Sequence, residues 1–98
     1  MPEQGQLENW DRESFFHPNT HLGQFVRKET PQVVMTGGEG VYVYDNKGNK
    51  FLDGFAGLYC VNIGYGRQPV IDAINKQAQE LAYYHAYFGH GTEASITL

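Results

Sequence analysis

Between Asp53 and Arg67 the chain carries no charged residue. The intervening run, GFAGLYCVNIGYG, sets four glycines among Phe55, Leu58, Tyr59, Cys60, Val61, Ile63 and Tyr65. So many glycines weaken a regular strand, because each loses more backbone freedom on ordering than any other residue. So many large apolar groups are equally unsuited to a solvated loop. The segment needs adaptable dihedrals and a dry setting together, and is therefore expected to be covered by protein.

The totals narrow the field further. A chain of 98 residues makes one small domain at most, and a domain of that size buries only roughly 60–70% of its unfolded surface. Seven basic residues face eleven acidic ones for a net charge of −4. The basic residues are scattered apart from Arg27-Lys28, which excludes the basic stripe required for nucleic acid or an anionic membrane surface. Cys60 is the sole cysteine, so neither an intrachain disulfide framework nor a cysteine-based zinc site is available. A single thiol fits a reducing compartment. The opening MPEQGQLENWDRES lacks the apolar core of a signal peptide, and no run approaches the ~18 apolar residues of a membrane-spanning helix. A cytoplasmic location is the expectation.

Leu7 to Phe16 is expected to form a short helix that ends before Pro18, since proline disfavours a helical residue ahead of it. Trp10, Phe15, Phe16, Leu22, Phe25 and Val26 are more apolar mass than an arm of that length can bury against itself. Val41 and Val43 alternate with Tyr42 and Tyr44 at the period of a strand. DNKGNK is a turn with Gly48 free for positive φ, and FLD pairs back. Val33 to Met35 adds a first strand ahead of a break at Gly37-Gly38. From Gln68 to Tyr84 an amphipathic helix carries Val70, Ile74, Ala78 and Leu81 on one face. Pro69 sits in its first turn, and Asp72, Lys76 and Glu80 are spaced to pair on the other face. Thr92 is placed to cap a last helix through Glu93 and Ala94. The apolar pattern begun by Ile96 and Leu98 suggests the front piece of something longer.

Chemistry-bearing motifs are sparse. His17, His21, His85 and His90 have no partners at metal-ligand spacing, so no metal site is expected. Gly89 to Ala94, GHGTEA, fits a G-x-G-x-x-A pattern. A dinucleotide site would also need a preceding strand in a βαβ unit and an acidic residue about twenty positions on; a turn capped by Thr92 is the preferred reading. A Schiff-base lysine must be desolvated. Lys28, Lys47, Lys50 and Lys76 all lie in polar settings, so none is assigned as catalytic. The rings of Tyr59, Tyr65, Tyr83, Tyr84, Tyr87 and Phe88 can line a small-molecule pocket or serve as core or subunit interface.

Taken in order, these features resemble the N-terminal segment of class III aminotransferases, pyridoxal-phosphate enzymes of fold type I, and most closely their omega-amino acid:pyruvate branch. The resemblance rests on the hairpin of Gly40, Asp45 and Gly48, the FLDG strand, and the turn of Asn62, Gly64 and Tyr65. It continues through Ala73, Ile74 and Gln77 in the helix, with HP-x-T at His17, Pro18 and Thr20. It implies an α+β fold: a small antiparallel meander flanked by helices. Residues 1–32 would form an N-terminal arm, and 33–98 the start of the small and large domains. It also implies a homodimer in which Leu58 and Tyr59 line the substrate pocket, Tyr87 and Phe88 reach the pocket of the other subunit, and Asn19 stands near the mouth. Some relatives carry an aromatic residue at position 19 and tryptophan at 59, so Asn19 and Tyr59 imply a more polar or roomier pocket.

The implied reaction moves an amino group from an amine or omega-amino acid to a keto acid such as pyruvate. Its cofactor, pyridoxal phosphate, is held in the family by a lysine and an aspartate downstream of this segment, so the 98 residues alone are expected to be inactive. The alternative is a non-enzymatic interaction module that uses its aromatic surface. If the apolar run lacks its cover, the isolated chain is expected to melt broadly when followed by circular dichroism; a sharp two-state transition at low protein concentration would contradict this.

Overall fold

The computed structural model describes residues 2–98, which divide into two compact units, one running to Tyr65 and the other beginning at Gly66. In the first, α1 (Gln6–Ser14) and α2 (Leu22–Val26) precede a three-stranded antiparallel sheet of β1 (Met35–Glu39), β2 (Tyr42–Asp45) and β3 (Lys50–Leu52) in the order β1-β2-β3. A one-turn segment α3 (Ala56–Tyr59) follows. The second unit holds α4 (Gln68–Leu81), a 3-10 turn at Tyr87–Gly89 and α5 (Glu93–Thr97). This is the α+β arrangement expected, an antiparallel meander flanked by helices.

Several details differ from the expectation, and α1 ends at Ser14 rather than Phe16. The first strand begins at Met35 and runs through Gly37 and Gly38, which pair with Tyr44 and Val43, with the register shifting between Met35 and Gly37. The glycines do not break the strand: they keep its surface low where the Tyr65 ring lies against Gly38. The amphipathic helix stops at Leu81, three residues short of Tyr84. Its stripe of Val70, Ile71, Ile74 and Leu81 forms but stays exposed. On the other face Asp72 accepts a hydrogen bond from Gln68 at 2.7 Å, and the Asp72–Lys76–Glu80 ion pairing does not form among the described residues. At α5 the expected cap is present, with Thr92 Oγ1 accepting from the Ser95 amide at 3.2 Å.

Phe25, 5% exposed, is the one buried large apolar side chain among the described residues. The His17 ring lies edge-on to it at 4.8 Å, and the Arg12 guanidinium stands 6.0 Å from its centroid. His17 is fixed in turn by Asp11, 2.7 Å away, whose other oxygen accepts from Gln32 at 2.6 Å. Asn46 donates to Glu8 at 2.7 Å and so ties α1 to the hairpin. Trp10, Phe15 and Phe16 remain exposed.

The hairpin is organised by Asp45, a buried carboxylate that accepts from the Asn49 side chain at 2.8 Å and from the amides of Asn49 and Lys47 at 2.8 and 2.9 Å. Gly48 completes the turn at φ 84°. The Asn49 side-chain bond, helped by the two amides, outweighs desolvation and holds the Asp45 carboxyl below its usual value of 3.8. A carboxyl depressed by folding contributes stability above its unfolded pKa and loses it as pH falls through the folded one. Amide exchange at Lys47 and Asn49 is therefore expected to follow ordinary base catalysis from neutral pH down to about pH 4 and to show loss of protection only below 3.8. An NMR exchange series across that range checks this.

Candidate substrate-facing site

The apolar run of the sequence becomes a backbone of unusual hand. Ala56, Gly57, Leu58 and Tyr59 take φ of 49°, 59°, 71° and 68° in succession, so α3 is a single left-handed turn. The amides of Leu58 and Tyr59 donate to the Phe55 carbonyl at 3.0 and 3.1 Å. Those of Cys60 and Val61 donate to the Ala56 carbonyl at 2.9 Å each. For a residue with a Cβ the left-handed region costs roughly 1–2 kcal/mol, and Ala56, Leu58 and Tyr59 each carry that cost. Backbone strain of this order persists only where the surroundings over-determine it, commonly at functional sites.

What surrounds the turn is specific. At its entry the Asp53 carboxylate accepts from the amides of Phe55 and Gly57 at 3.1 and 2.9 Å. The Tyr65 hydroxyl donates to the same carboxylate at 2.5 Å. The Tyr65 bond lowers the Asp53 carboxyl below its usual range and lifts the Tyr65 phenol above its own; desolvation opposes the first shift and adds to the second. At the exit, Gly40 and Tyr65 exchange two backbone hydrogen bonds of 3.0 and 2.8 Å, docking the chain on the β1-β2 turn. Gly64 makes that approach possible: its φ is 87°, and a Cβ there would lie 2.9 Å from the Gly40 carbonyl oxygen.

The turn displays Leu58 and Tyr59, 56% and 74% exposed, on one short arc. Tyr59 is braced edge-on by Phe55 at 5.2 Å, and the Cys60 thiol turns back to donate to the Leu58 carbonyl at 3.2 Å. Asn19 occupies a separate turn between α1 and α2 at φ 52°. In the second unit Tyr87 and Phe88 stand 6.3 Å apart in the 3-10 turn, with Phe88 at φ 58° and 93% exposed. There His85 stacks on Tyr84 at 4.5 Å, and the Tyr87 amide donates to the His85 ring at 3.2 Å. The five residues singled out in the sequence thus fall in three places. A 3-10 turn, not a strand, precedes GHGTEA, so the dinucleotide pattern lacks the strand it requires.

The family profile described as Aminotransferase class-III matches residues 25–97. The chain belongs to the class III aminotransferases. It is 53% identical over all 98 residues to the diaminobutyrate–2-oxoglutarate transaminase of Halomonas elongata, covering 21% of that protein. It is 49% identical over 55 residues to the putrescine–pyruvate aminotransferase of Pseudomonas aeruginosa, covering 56% of this chain and 12% of that one. Its structure superposes on a thermostable (S)-enantioselective omega-transaminase from Thermomicrobium roseum with a TM-score of 0.86 and 38% identity, covering 95% of this chain and 20% of that one. The chain spans about a fifth of the length of the first of these relatives.

Class III aminotransferases use pyridoxal phosphate, and the residues here do not fit its attachment. Lys28, Lys47, Lys50 and Lys76 are all exposed, whereas an amine that forms a Schiff base needs desolvation or a neighbouring charge to lose its proton. Lys50 instead holds its ammonium 4.0 Å from the centroid of the Tyr42 ring, a cation–π contact at the surface. Asp53 and Gly38 escaped the sequence reading of the site, and Tyr65 entered it only as one ring of an aromatic group, not as the partner of Asp53; the faint signal was an aspartate two positions ahead of an apolar turn residue, the pattern in which a carboxylate caps nearby amides. Gly64→Ala is expected to destabilise the complete protein by about 1–2 kcal/mol through its left-handed φ alone, more with the contact to Gly40, as read from denaturant midpoints.

Proposed function

We propose that this chain forms the substrate-facing N-terminal part of an aminotransferase that moves an amino group from an amine or omega-amino acid to a keto acid such as pyruvate. The family match over residues 25–97 carries the reading, and the transaminase relatives along the whole chain support it. Pyridoxal phosphate supplies the electron sink when bound in the complete enzyme. The role of these residues is to shape the space beside it. In this reading residues 1–32 act as an arm and 33–98 begin the small and large domains.

Leu58 and Tyr59 form an apolar wall that excludes water and holds the carbon chain of the amine, while the Tyr59 hydroxyl offers one directed contact. Tyr87 and Phe88, exposed on their turn, contribute to the pocket of the second subunit of a homodimer, and Asn19 lies at the mouth. The exposed α4 stripe and the uncovered rings are surfaces that such an assembly would bury. Among the described residues no helix is long and apolar enough to cross a membrane; the proposed setting is the cytoplasm.

The experiment is an amino-transfer assay on the full chain carrying this segment, with omega-amino acids and diamines as donors and pyruvate or 2-oxoglutarate as acceptor. Product keto acid or aldehyde is expected with at least one pair. Leu58→Ala and Tyr59→Ala are each expected to raise the amine KM about tenfold, equivalent to about 1.4 kcal/mol, with a smaller effect on the keto acid KM. Absence of transfer with every pair, together with soluble binding of the chain to another protein, would favour the interaction-module alternative.

A further inference from the structure

The internal hydrogen bonds of α3 do not select its hand. Bonds from a carbonyl to the amide three, four or five positions on, the set found here, also close in right-handed turns, which Ala56, Leu58 and Tyr59 would each prefer. The choice must come from groups outside the turn, and the structure offers two. Asp53 holds the amides of Phe55 and Gly57, fixing how the chain enters. Tyr65 holds Asp53 at 2.5 Å and closes over Gly57, where a Cβ would come 3.1 Å from its hydroxyl oxygen. The Tyr65 ring is itself seated on β1: a Cβ on Gly38 would lie 2.8 Å from the ring. Its backbone is locked to Gly40 in both directions.

We infer that Tyr65 is a positioning residue: through Asp53 its hydroxyl keeps the turn left-handed, and so sets where Leu58 and Tyr59 stand and which amines the pocket admits. The inference rests on the aminotransferase reading for its substrate consequence, but not for the clamp itself. The linkage runs from the sheet outward. Gly38 admits the ring, the ring aims the phenol, the phenol orients the Asp53 carboxylate, and the carboxylate fixes two amides. A phenol donating to a carboxylate is a charge-assisted bond, stronger than a neutral one, and the opposed shifts of the two groups follow from it. Without the clamp the turn relaxes toward the right-handed form. Inverting the hand carries the Leu58 and Tyr59 side chains off their present arc, so the pocket wall changes shape although neither residue has changed.

The test uses Tyr65→Phe in the full chain carrying this segment, with Gly38→Ala as an independent variant that keeps the phenol but displaces its ring. Hydrogen exchange read by mass spectrometry is expected to rise at least tenfold in peptides covering 55–61, with peptides covering β2 and β3 unchanged. In amino-transfer kinetics the KM for a bulky amine is expected to shift at least fivefold relative to a small one, with kcat for the small amine within about twofold of wild type. Unchanged exchange at 55–61 in both variants would overturn the clamp. Exchange raised throughout the sheet would assign Tyr65 a merely structural role and overturn the positioning role. Local loosening without any change in amine preference would overturn the link to substrate. If the wild-type protein transfers no amino group, the aminotransferase reading fails, while the exchange comparison still decides the clamp.

Discussion

The Asp53 carboxylate is where sheet, turn and candidate pocket wall meet. It follows directly on β3, takes two amides of the left-handed turn and accepts the Tyr65 hydroxyl that returns from the far end of the apolar run. A backbone of four successive residues at positive φ is locally unfavourable, and three of the four carry a Cβ. It can be kept only by contacts that a relaxed turn would forfeit. The short path from the meander to Asp53 makes the sheet the rigid reference for that strained arc, in keeping with binding groups mounted on loops but aimed by regular structure.

A second carboxylate does comparable work at the opposite end of the hairpin. Asp45 satisfies two turn amides and a side-chain amide, replacing the bonds that the tight connection between β2 and β3 cannot make for itself. The meander is thus pinned by polar contacts at both ends, with little apolar burial between them. Phe25 is the sole buried large apolar side chain among the described residues, while Phe55, Leu58, Tyr59, Ile63 and the α4 stripe remain open. Hydrophobic burial ordinarily dominates folding. A chain of which so much apolar surface is exposed relies on polar clasps for its local form and presents ready surface for further protein. That accords with a segment matching about a fifth of its aminotransferase relatives.

How much of this was legible depended on the range of the interactions involved. The α4 helix announced itself through period and Pro69, the hairpin through alternation and DNKGNK, and the last cap through Thr92, because each is decided by neighbours within a few residues. The Gly37-Gly38 pair misled: read locally it is a break, yet β2 pairs with it in register and Tyr65, far along the chain, needs its bare surface. The helix end was misplaced for a similar reason, since the aromatic residues after Leu81 suit a helix pattern as well as the stacked ring cluster they form. The exposure of Lys28, Lys47, Lys50 and Lys76 was legible too, because polar neighbours in sequence already signal solvent.

By itself the sequence determined the antiparallel meander and the amphipathic helix and, through the resemblance carried by its ordered motifs, the family. The meander and the helix follow from periodicity and turn chemistry, which act over short stretches of chain. Only the tertiary structure decided that Ala56 to Tyr59 wind left-handed and that Asp53, Tyr65 and Gly38 hold them so. Left-handedness at a non-glycine residue runs against its own preference, and here the local Asp53 contacts are themselves held by contacts twelve and more positions along the chain, from Tyr65 to Asp53 and Gly38, that no local pattern encodes.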